Sequence, residues 1–156
     1  MNGGRRVCYN RLMRSYILVV DDDPVLAGLI CDFLESRGLR ATSCGDAAQA
    51  IVQASTLSVG GLVLDIALGS YGSGVDVYRH IRHGAHHPKD LPILFLTGMA
   101  PETALPMLPN DDPHVKTLFK PIRPEKLFEN LHALGSGRWL AACRTTLPPH
   151  GGPSRN

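Results

Sequence analysis

The chain lacks any long hydrophobic run and uses little cysteine. No apolar stretch approaches the roughly 20 residues that span a bilayer. The short apolar run Tyr16–Val20 passes directly into three aspartates, which argues against a secretory signal. The four cysteines form no CxxC pair and no zinc-ligand spacing. We therefore interpret them as reduced thiols and expect a cytoplasmic protein without membrane spans.

Positive charge is also scarce in the middle of the chain. The formal net charge is +2, but all 14 acidic residues lie between positions 16 and 134. Only nine of the 16 Lys and Arg residues lie there, which leaves this core with a net charge of −5. The remaining arginines lie near the two ends. The net positive charge of the whole chain is therefore no reason to infer nucleic-acid binding, and we expect no direct binding to DNA.

Length and periodicity predict one domain. A chain of 156 residues with 44% hydrophobic content has enough apolar material for a single core. Residues 1–14 and 135–156 show no regular apolar pattern. We predict a flexible basic leader over 1–14, one domain over 15–134, and a flexible tail over 135–156 that holds no output domain. Met13 is a second candidate for the natural start.

Strand-like and helix-like segments alternate along this domain. Apolar runs predict strands at 16–20, 40–43, 62–66, 93–96 and 115–119, and helical spacing predicts helices at 24–37, from about 46, at 75–83 and at 125–134. Residues 100–113 contain four prolines, so the fourth helix is predicted to be short, kinked or absent. The alternation predicts an α/β, flavodoxin-like, doubly wound sheet of five parallel strands in the order 2-1-3-4-5, with helices on both faces.

Polar side chains follow four of these strands at the point where each strand ends. Asp21 and Asp22 follow the first strand, and Asp65, Thr97 and Lys120 follow or end the third, fourth and fifth. Carboxyl ends of parallel strands share one edge of a sheet, so these groups are expected to converge there. Adjacent carboxylates are costly unless a positive charge lies among them, and a hard divalent cation with oxygen ligands is the natural candidate. Asp23, directly before Pro24, is instead interpreted as a helix cap.

With these residues in these places, residues 15–134 resemble the receiver domain of two-component response regulators, of the stand-alone, CheY-like kind. The resemblance implies that Asp65 accepts a phosphoryl group from a histidine kinase or a histidine phosphotransfer protein. It further implies Mg²⁺ held by Asp22, Asp65 and the backbone carbonyl of Ala67, with Asp21 binding directly or through water. Lys120, Thr97 and the amide of Gly98 would contact the phosphoryl group. Such a module is not a turnover enzyme, and it would signal through a downstream protein partner.

Three features depart from the family pattern. The apolar-Pro pair usual after the phosphorylated strand is Leu68-Gly69 here, and the loop that follows is one residue longer. The position three residues before the lysine, usually an aromatic switch residue, is Thr117. The fourth helical segment is rich in proline. These departures leave the chemistry intact and predict an altered relay to the surface.

Two other functional classes stay open. A magnesium-dependent aspartyl-phosphate phosphatase of haloacid-dehalogenase type also uses a strand-end Asp, a Thr and a Lys, although its general acid would fall at Ala67. The other class is a receiver-like interaction module that is never phosphorylated.

A possible transition-metal site is suggested by the spacing of His80, His83 and His87. No Cys or acidic residue is placed to complete the set of metal ligands, so we interpret these histidines as an exposed helix end.

Overall fold

A computed structural model describes residues 15–69 and 71–135 of the chain. The predicted basic leader, the candidate start at Met13 and most of the predicted tail lie outside the described residues. Within the described ranges, no helix has both the length and the apolar character needed to cross a membrane.

The described chain alternates strands with helices, as the sequence predicts. The strands are β1 Tyr16–Val20, β2 Ala41–Cys44, β3 Val59–Leu64, β4 Ile93–Thr97 and β5 Val115–Phe119. The helices are α1 Pro24–Ser36, α2 Ala47–Thr56, α3 Gly74–His83, α4 Pro101–Ala104 and α5 Pro124–Leu134. A 3₁₀ turn, Leu105–Met107, continues α4.

The five strands form one parallel sheet in the order β2-β1-β3-β4-β5, which confirms the predicted fold. Alternate side chains of the central strands enter two separate apolar clusters, one on each face. Leu62 and Leu64 pack with α2 and α3 residues on one face, whereas Val63 packs with α1 and α5 residues on the other. Both faces are therefore covered, as expected for strands with near-continuous apolar sequence.

Two predicted strand positions are wrong by a few residues. β3 begins at Val59 and ends at Leu64, whereas the sequence predicted 62–66. Two glycines, which are weak strand formers, follow Val59 as the second and third residues of β3, and for this reason the sequence pattern did not indicate where the strand begins. Gly61 pairs with Ile17, and a Cβ on Gly61 would lie 3.1 Å from the Ile17 Cδ1 atom, so the small residue lets the two strands pack closely. β2 is shifted by one residue, to Ala41–Cys44.

Helix boundaries follow local sequence in most places. Asp23 caps α1, because its Oδ1 accepts hydrogen bonds from the amides of Val25 and Leu26 at 3.0 and 3.3 Å. Asp46 caps α2 through the amide of Gln49 at 2.7 Å. The predicted cap at Asp23 is thus confirmed, and Asp46 caps α2 in the same way.

The fourth helical segment is reduced to one turn, as the prolines predicted. Helix α4 spans four residues and the 3₁₀ turn after it three. Pro106 lies inside that turn, where it lacks the amide hydrogen that a longer α-helix would need. The segment between Thr97 and Val115 therefore presents little regular helical surface.

Candidate functional site

The carboxyl ends of β1 and β3 bring the two buried aspartates together. Asp65 follows β3, and its amide donates a hydrogen bond to the carbonyl of Val20, the last residue of β1, at 2.8 Å. Asp21 follows that residue directly. Only 3% of Asp21 and 7% of Asp65 is exposed, so both carboxylates lie largely out of water. The sheet order thus places these two groups side by side.

Asp22 completes an acidic cluster with them. One carboxylate oxygen from each of Asp21, Asp22 and Asp65 lies within 4.8 Å of the others, close enough to share one metal ion. Asp22, unlike Asp21 and Asp65, is exposed, and among the described residues its carboxylate makes no hydrogen bond. The cluster therefore offers two fixed buried carboxylates and one that is free to turn toward a cation.

Lys120 supplies the positive charge inside the cluster. Its Nζ donates to Asp21 Oδ2 at 2.7 Å and to Asp65 Oδ2 at 3.0 Å, so one ammonium bridges the two buried carboxylates. Partial burial by itself would lower the pKa of Lys120. Its hydrogen bonds and charge interactions with Asp21 and Asp65 outweigh burial, and the pKa of Lys120 is raised above its ordinary value.

Lys120 does not fully compensate the negative charge of Asp65. Burial raises the pKa of the Asp65 carboxyl, and the bonds from Lys120 only partly oppose that rise. The neighbouring charge of Asp21 raises it further. Lys120 pairs with two of the three carboxylates, and all three offer the hard oxygen atoms that Mg²⁺ prefers. The donor set and the uncompensated charge both fit a divalent cation.

Asp21 is oriented by backbone as well as by Lys120. The amide of Asp23 donates to Asp21 Oδ1 at 2.9 Å, while Lys120 binds the other oxygen. Asp23 directs its own carboxylate to the start of α1, and it is not part of the acidic cluster. The three consecutive aspartates thus have three different environments.

Thr97 lies at the end of β4 and is fully buried. Its Oγ1 accepts a hydrogen bond from the amide of Met99 at 3.1 Å, and its carbonyl accepts one from the amide of Lys120 at 2.8 Å. The hydroxyl is therefore held by the segment that leads into α4. Gly98 beside it is exposed, and a Cβ there would lie 4.0 Å from Lys120 Cδ.

Ala67 lies at the exposed mouth of the site. Its amide donates to Asp65 Oδ1 at 3.3 Å, and it forms an isolated antiparallel bridge with Ser73. Ser73 in turn caps α3 in a reciprocal box with Asp76. Sequence reasoning missed both Ser73 and this bridge, although Ser three residues before Asp at a helix start is a readable capping signal.

The histidines at positions 80, 83 and 87 do not assemble into a metal centre. Asp21, Asp22 and Asp65 are the only group of three or more potential ligand side chains in the part of the chain that the structure describes. His83 instead packs edge-on against the Tyr78 ring, with ring centroids 6.5 Å apart. Partial burial lowers the pKa of His87, and the nearby His86 and His80 lower it further. The prediction of an exposed helix end is right for His80 and His83 and wrong for His87, which lies four residues beyond the end of α3 and is half-buried.

Residues 17–132 match the response regulator receiver domain family. The chain belongs to that family. Receiver domains of this kind are signalling modules of two-component systems rather than classical enzymes, and they work with a kinase or another phosphoryl donor. They typically use Mg²⁺ at an acidic cluster such as the one formed by Asp21, Asp22 and Asp65.

Named relatives are consistent with this assignment. The DNA-binding response regulator MtrA of Mycolicibacterium smegmatis is 32% identical over 123 residues, which cover 78% of this chain and 50% of the relative. The probable transcriptional regulatory protein TcrX of Mycobacterium tuberculosis is 40% identical over 82 residues, which cover 53% of this chain and 33% of the relative. The receiver domain therefore spans half or less of the length of these curated relatives.

Solved structures share the fold. A response regulator receiver protein from Sinorhizobium medicae superposes with a TM-score of 0.70 at 25% identity, covering 81% of this chain and 98% of the other. A sensor protein from Polaromonas sp. JS666 gives a TM-score of 0.69 at 30% identity, covering 79% and 97%. The receiver domain accounts for nearly the whole of each solved chain.

Proposed function

We propose that this receiver domain acts as a stand-alone response regulator that accepts a phosphoryl group on Asp65 from a histidine kinase or a histidine phosphotransfer protein. The main support for the proposal is the environment of Asp65. Asp65 is a buried carboxylate at the carboxyl end of the central strand β3, and the Lys120 ammonium bridges it to the second buried carboxylate, Asp21. Phosphoryl transfer depends on this kind of positioning and charge neutralisation more than on proton transfer.

Each residue of the site has its own role in the phosphoryl transfer. A carboxylate oxygen of Asp65 attacks the phosphorus of the donor phosphohistidine, the P–N bond breaks, and the imidazole leaves with the electron pair. Lys120, already bonded to Asp65 at 3.0 Å, then faces the phosphoryl oxygens and holds them by charge. Thr97 can turn its hydroxyl from the Met99 amide to a phosphoryl oxygen, with the amide of Gly98 as a further donor.

Mg²⁺ would be held by Asp22, Asp65 and the carbonyl of Ala67. Asp21 already binds Lys120 and the Asp23 amide, so a bound water is the simpler link from Asp21 to the ion. When bound, the ion supplies charge neutralisation for the three carboxylates and for the incoming phosphoryl oxygens.

The output is proposed to be a contact with a protein partner in the cytoplasm rather than with DNA. The sequence over residues 16–134 has an excess of acidic residues, which opposes binding to a phosphate backbone. The curated relatives are described as DNA-binding or transcriptional regulators, and this chain matches half or less of their length. A DNA-binding contribution from residues beyond those described would contradict this part of the proposal.

Phosphorylation is tested by intact-protein mass measurement after incubation with acetyl phosphate and Mg²⁺. The wild-type chain should gain one phosphoryl group, and Asp65→Asn should gain none. Asp23→Asn is the matched control, because Asn is as good a helix cap as Asp and the change lies in the same acidic triplet. It should gain the group as the wild type does.

Two results would decide against the proposal. A mass gain that persists in Asp65→Asn would assign the phosphoryl group to another residue. A wild type that never gains mass, with acetyl phosphate or with a set of histidine kinases, would favour the receiver-like interaction module. Continuous release of phosphate from small phosphate esters would instead favour the haloacid-dehalogenase type of activity.

A further inference from the structure

Gly74, the first residue of α3, lies against the backbone of Asp65. A Cβ atom built on Gly74 would overlap the carbonyl oxygen of Asp65, would lie 2.9 Å from its carbonyl carbon, and would lie 3.3 Å from the Cα of Ile66. Real Cβ atoms essentially never approach another heavy atom closer than 3.0 Å. Only glycine therefore allows the helix start and the end of β3 to keep their present separation.

The helix start is fixed where it touches this peptide. The amide of Gly74 donates to the carbonyl of Ile66 at 3.0 Å, and Ala67 pairs with Ser73 in the antiparallel bridge. The Ser73 amide donates to Asp76 Oδ2 at 2.8 Å, and the Asp76 amide donates to Ser73 Oγ at 3.3 Å. Because these bonds hold both sides of the contact, a side chain at position 74 would have to displace the backbone of residues 65–67.

That stretch of backbone carries the reactive atoms. The Asp65 carboxylate accepts from Lys120 at 3.0 Å and from the Ala67 amide at 3.3 Å. Shifting the Asp65 carbonyl out of contact distance would move this carboxylate relative to Lys120 and Asp21. It would also move the Ala67 carbonyl that is proposed to bind Mg²⁺. A misplacement of about 1 Å at a reacting group can lower a rate on the order of a hundredfold.

We propose that Gly74 is a positioning residue for phosphoryl acceptance: its missing side chain sets where the Asp65 carboxylate and the Ala67 carbonyl lie. The inference rests on the proposed function of Asp65. Gly74 itself has no side chain with which to bind the metal ion or the donor. It acts through the peptide that joins Asp65 to Ile66.

The test compares Gly74→Ala with Gly28→Ala. Gly28 is also helical, but a Cβ there would meet nothing within 4 Å, so it controls for the effect of alanine on a helix. Mg²⁺ affinity is measured by titration calorimetry, and the rate of mass gain with acetyl phosphate is followed on the same samples. In Gly74→Ala we expect Mg²⁺ affinity to fall on the order of tenfold and the rate on the order of a hundredfold. Gly28→Ala should match the wild type in both.

A purely structural role for Gly74 predicts a different outcome. It would lower the free energy of unfolding of Gly74→Ala and leave the Mg²⁺ affinity and the rate of the folded fraction unchanged. Both quantities are therefore measured under conditions in which circular dichroism shows each variant to be folded. Unchanged affinity and rate in folded Gly74→Ala would overturn the inference.

Ser73→Ala covers the case in which Gly74→Ala does not fold. It removes the hydroxyl of the capping box and adds no atom, so the helix start is loosened and the fold is kept. Ser73 pairs with Ala67, so a loosened helix start also loosens the Ala67 carbonyl that is proposed to bind Mg²⁺. A severalfold loss of Mg²⁺ affinity is therefore expected, and wild-type affinity in this variant would overturn the inference. If the wild type binds Mg²⁺ but accepts no phosphoryl group, the proposed function is wrong, while the comparison of Mg²⁺ affinities still tests the role of Gly74. If the wild type neither binds Mg²⁺ nor accepts a phosphoryl group, both the proposed function and the inference about Gly74 are wrong.

Discussion

Arg82 and Asp112 form an ion pair of 2.7 Å between two side chains that are only 8% and 9% exposed. The other guanidinium nitrogens of Arg82 bind the carbonyls of Lys89 and Leu91 at 2.6 and 2.9 Å. Tyr78 donates to the same Asp112 oxygen at 2.9 Å. The end of α3 is thereby tied to the loop before β4 and to the loop before β5.

Arg82→Met should destabilise the domain strongly. Removing one partner of a buried pair leaves the other charge without compensation, which costs about 3–5 kcal/mol. Urea unfolding measures the loss. Arg79→Met in the same helix is the control, because Arg79 is 65% exposed and its nitrogen lies 3.9 Å from Asp76. A loss of under about 1 kcal/mol is expected there. Equal losses in the two variants would contradict a structural role for the Arg82 pair.

The same pair should make stability depend on acid pH. Burial would raise the pKa of Asp112, but the amide of His114, the Tyr78 hydroxyl and Arg82 together hold it below its ordinary value. A depressed pKa contributes stability that is fully present above the unfolded value of about 3.9 and is lost as pH falls through the folded value. The difference in unfolding free energy between wild type and Asp112→Asn should therefore shrink below about pH 4. A difference that stays constant from pH 6 to the acid limit of folding would exclude this linkage.

Asp22→Ala should weaken Mg²⁺ binding without destabilising the fold. Asp22 is the exposed member of the acidic cluster, and its removal relieves repulsion between carboxylates. We expect affinity to fall by on the order of tenfold or more, equivalent to about 1.4 kcal/mol, while the midpoint of thermal unfolding without metal stays level or rises. Titration calorimetry and thermal unfolding measure the two quantities. Asp23→Asn should bind Mg²⁺ normally, and an Asp22→Ala variant that does the same would remove Asp22 from the site.

Phosphorylation should act on the segment between Thr97 and Val115. The Thr97 hydroxyl holds the Met99 amide in this structure, and turning it to a phosphoryl group would release that amide. Thr117 is too short to fill the volume that an aromatic switch residue would vacate. We expect beryllofluoride with Mg²⁺ to change hydrogen exchange most within residues 98–113, as an order–disorder switch would. Helix α1 should change little.

Within that segment the change should be strongest before Asp112, which the Arg82 pair holds in place. Asp65→Asn treated with beryllofluoride is the control and should exchange as the untreated protein does. A change confined to the immediate neighbours of Asp65, or centred on α1, would show that this relay is wrong.

Most of the fold could be predicted from the sequence, because the residues that determine where its helices and strands begin and end act locally. Asp23-Pro24 and Asp46 start helices by binding the amides that directly follow them, and prolines limit α4 to one turn. Continuous apolar runs ending in polar residues were enough to indicate parallel strands covered on both faces. The start of β3 was missed because its two glycines have weak strand preference, and only pairing with β1 makes them a strand.

The sequence by itself thus determined which chemical groups end the strands: the carboxylates of Asp21, Asp22 and Asp65, the Thr97 hydroxyl and the Lys120 ammonium. Only the tertiary structure decided how they interact. Lys120 reaches Asp21 across 99 positions of sequence, Arg82 reaches Asp112 across 30, and Gly74 touches the Asp65 backbone. Such contacts depend on distances between elements that are set by the packing of the sheet and helices, and no local pattern of residues encodes those distances.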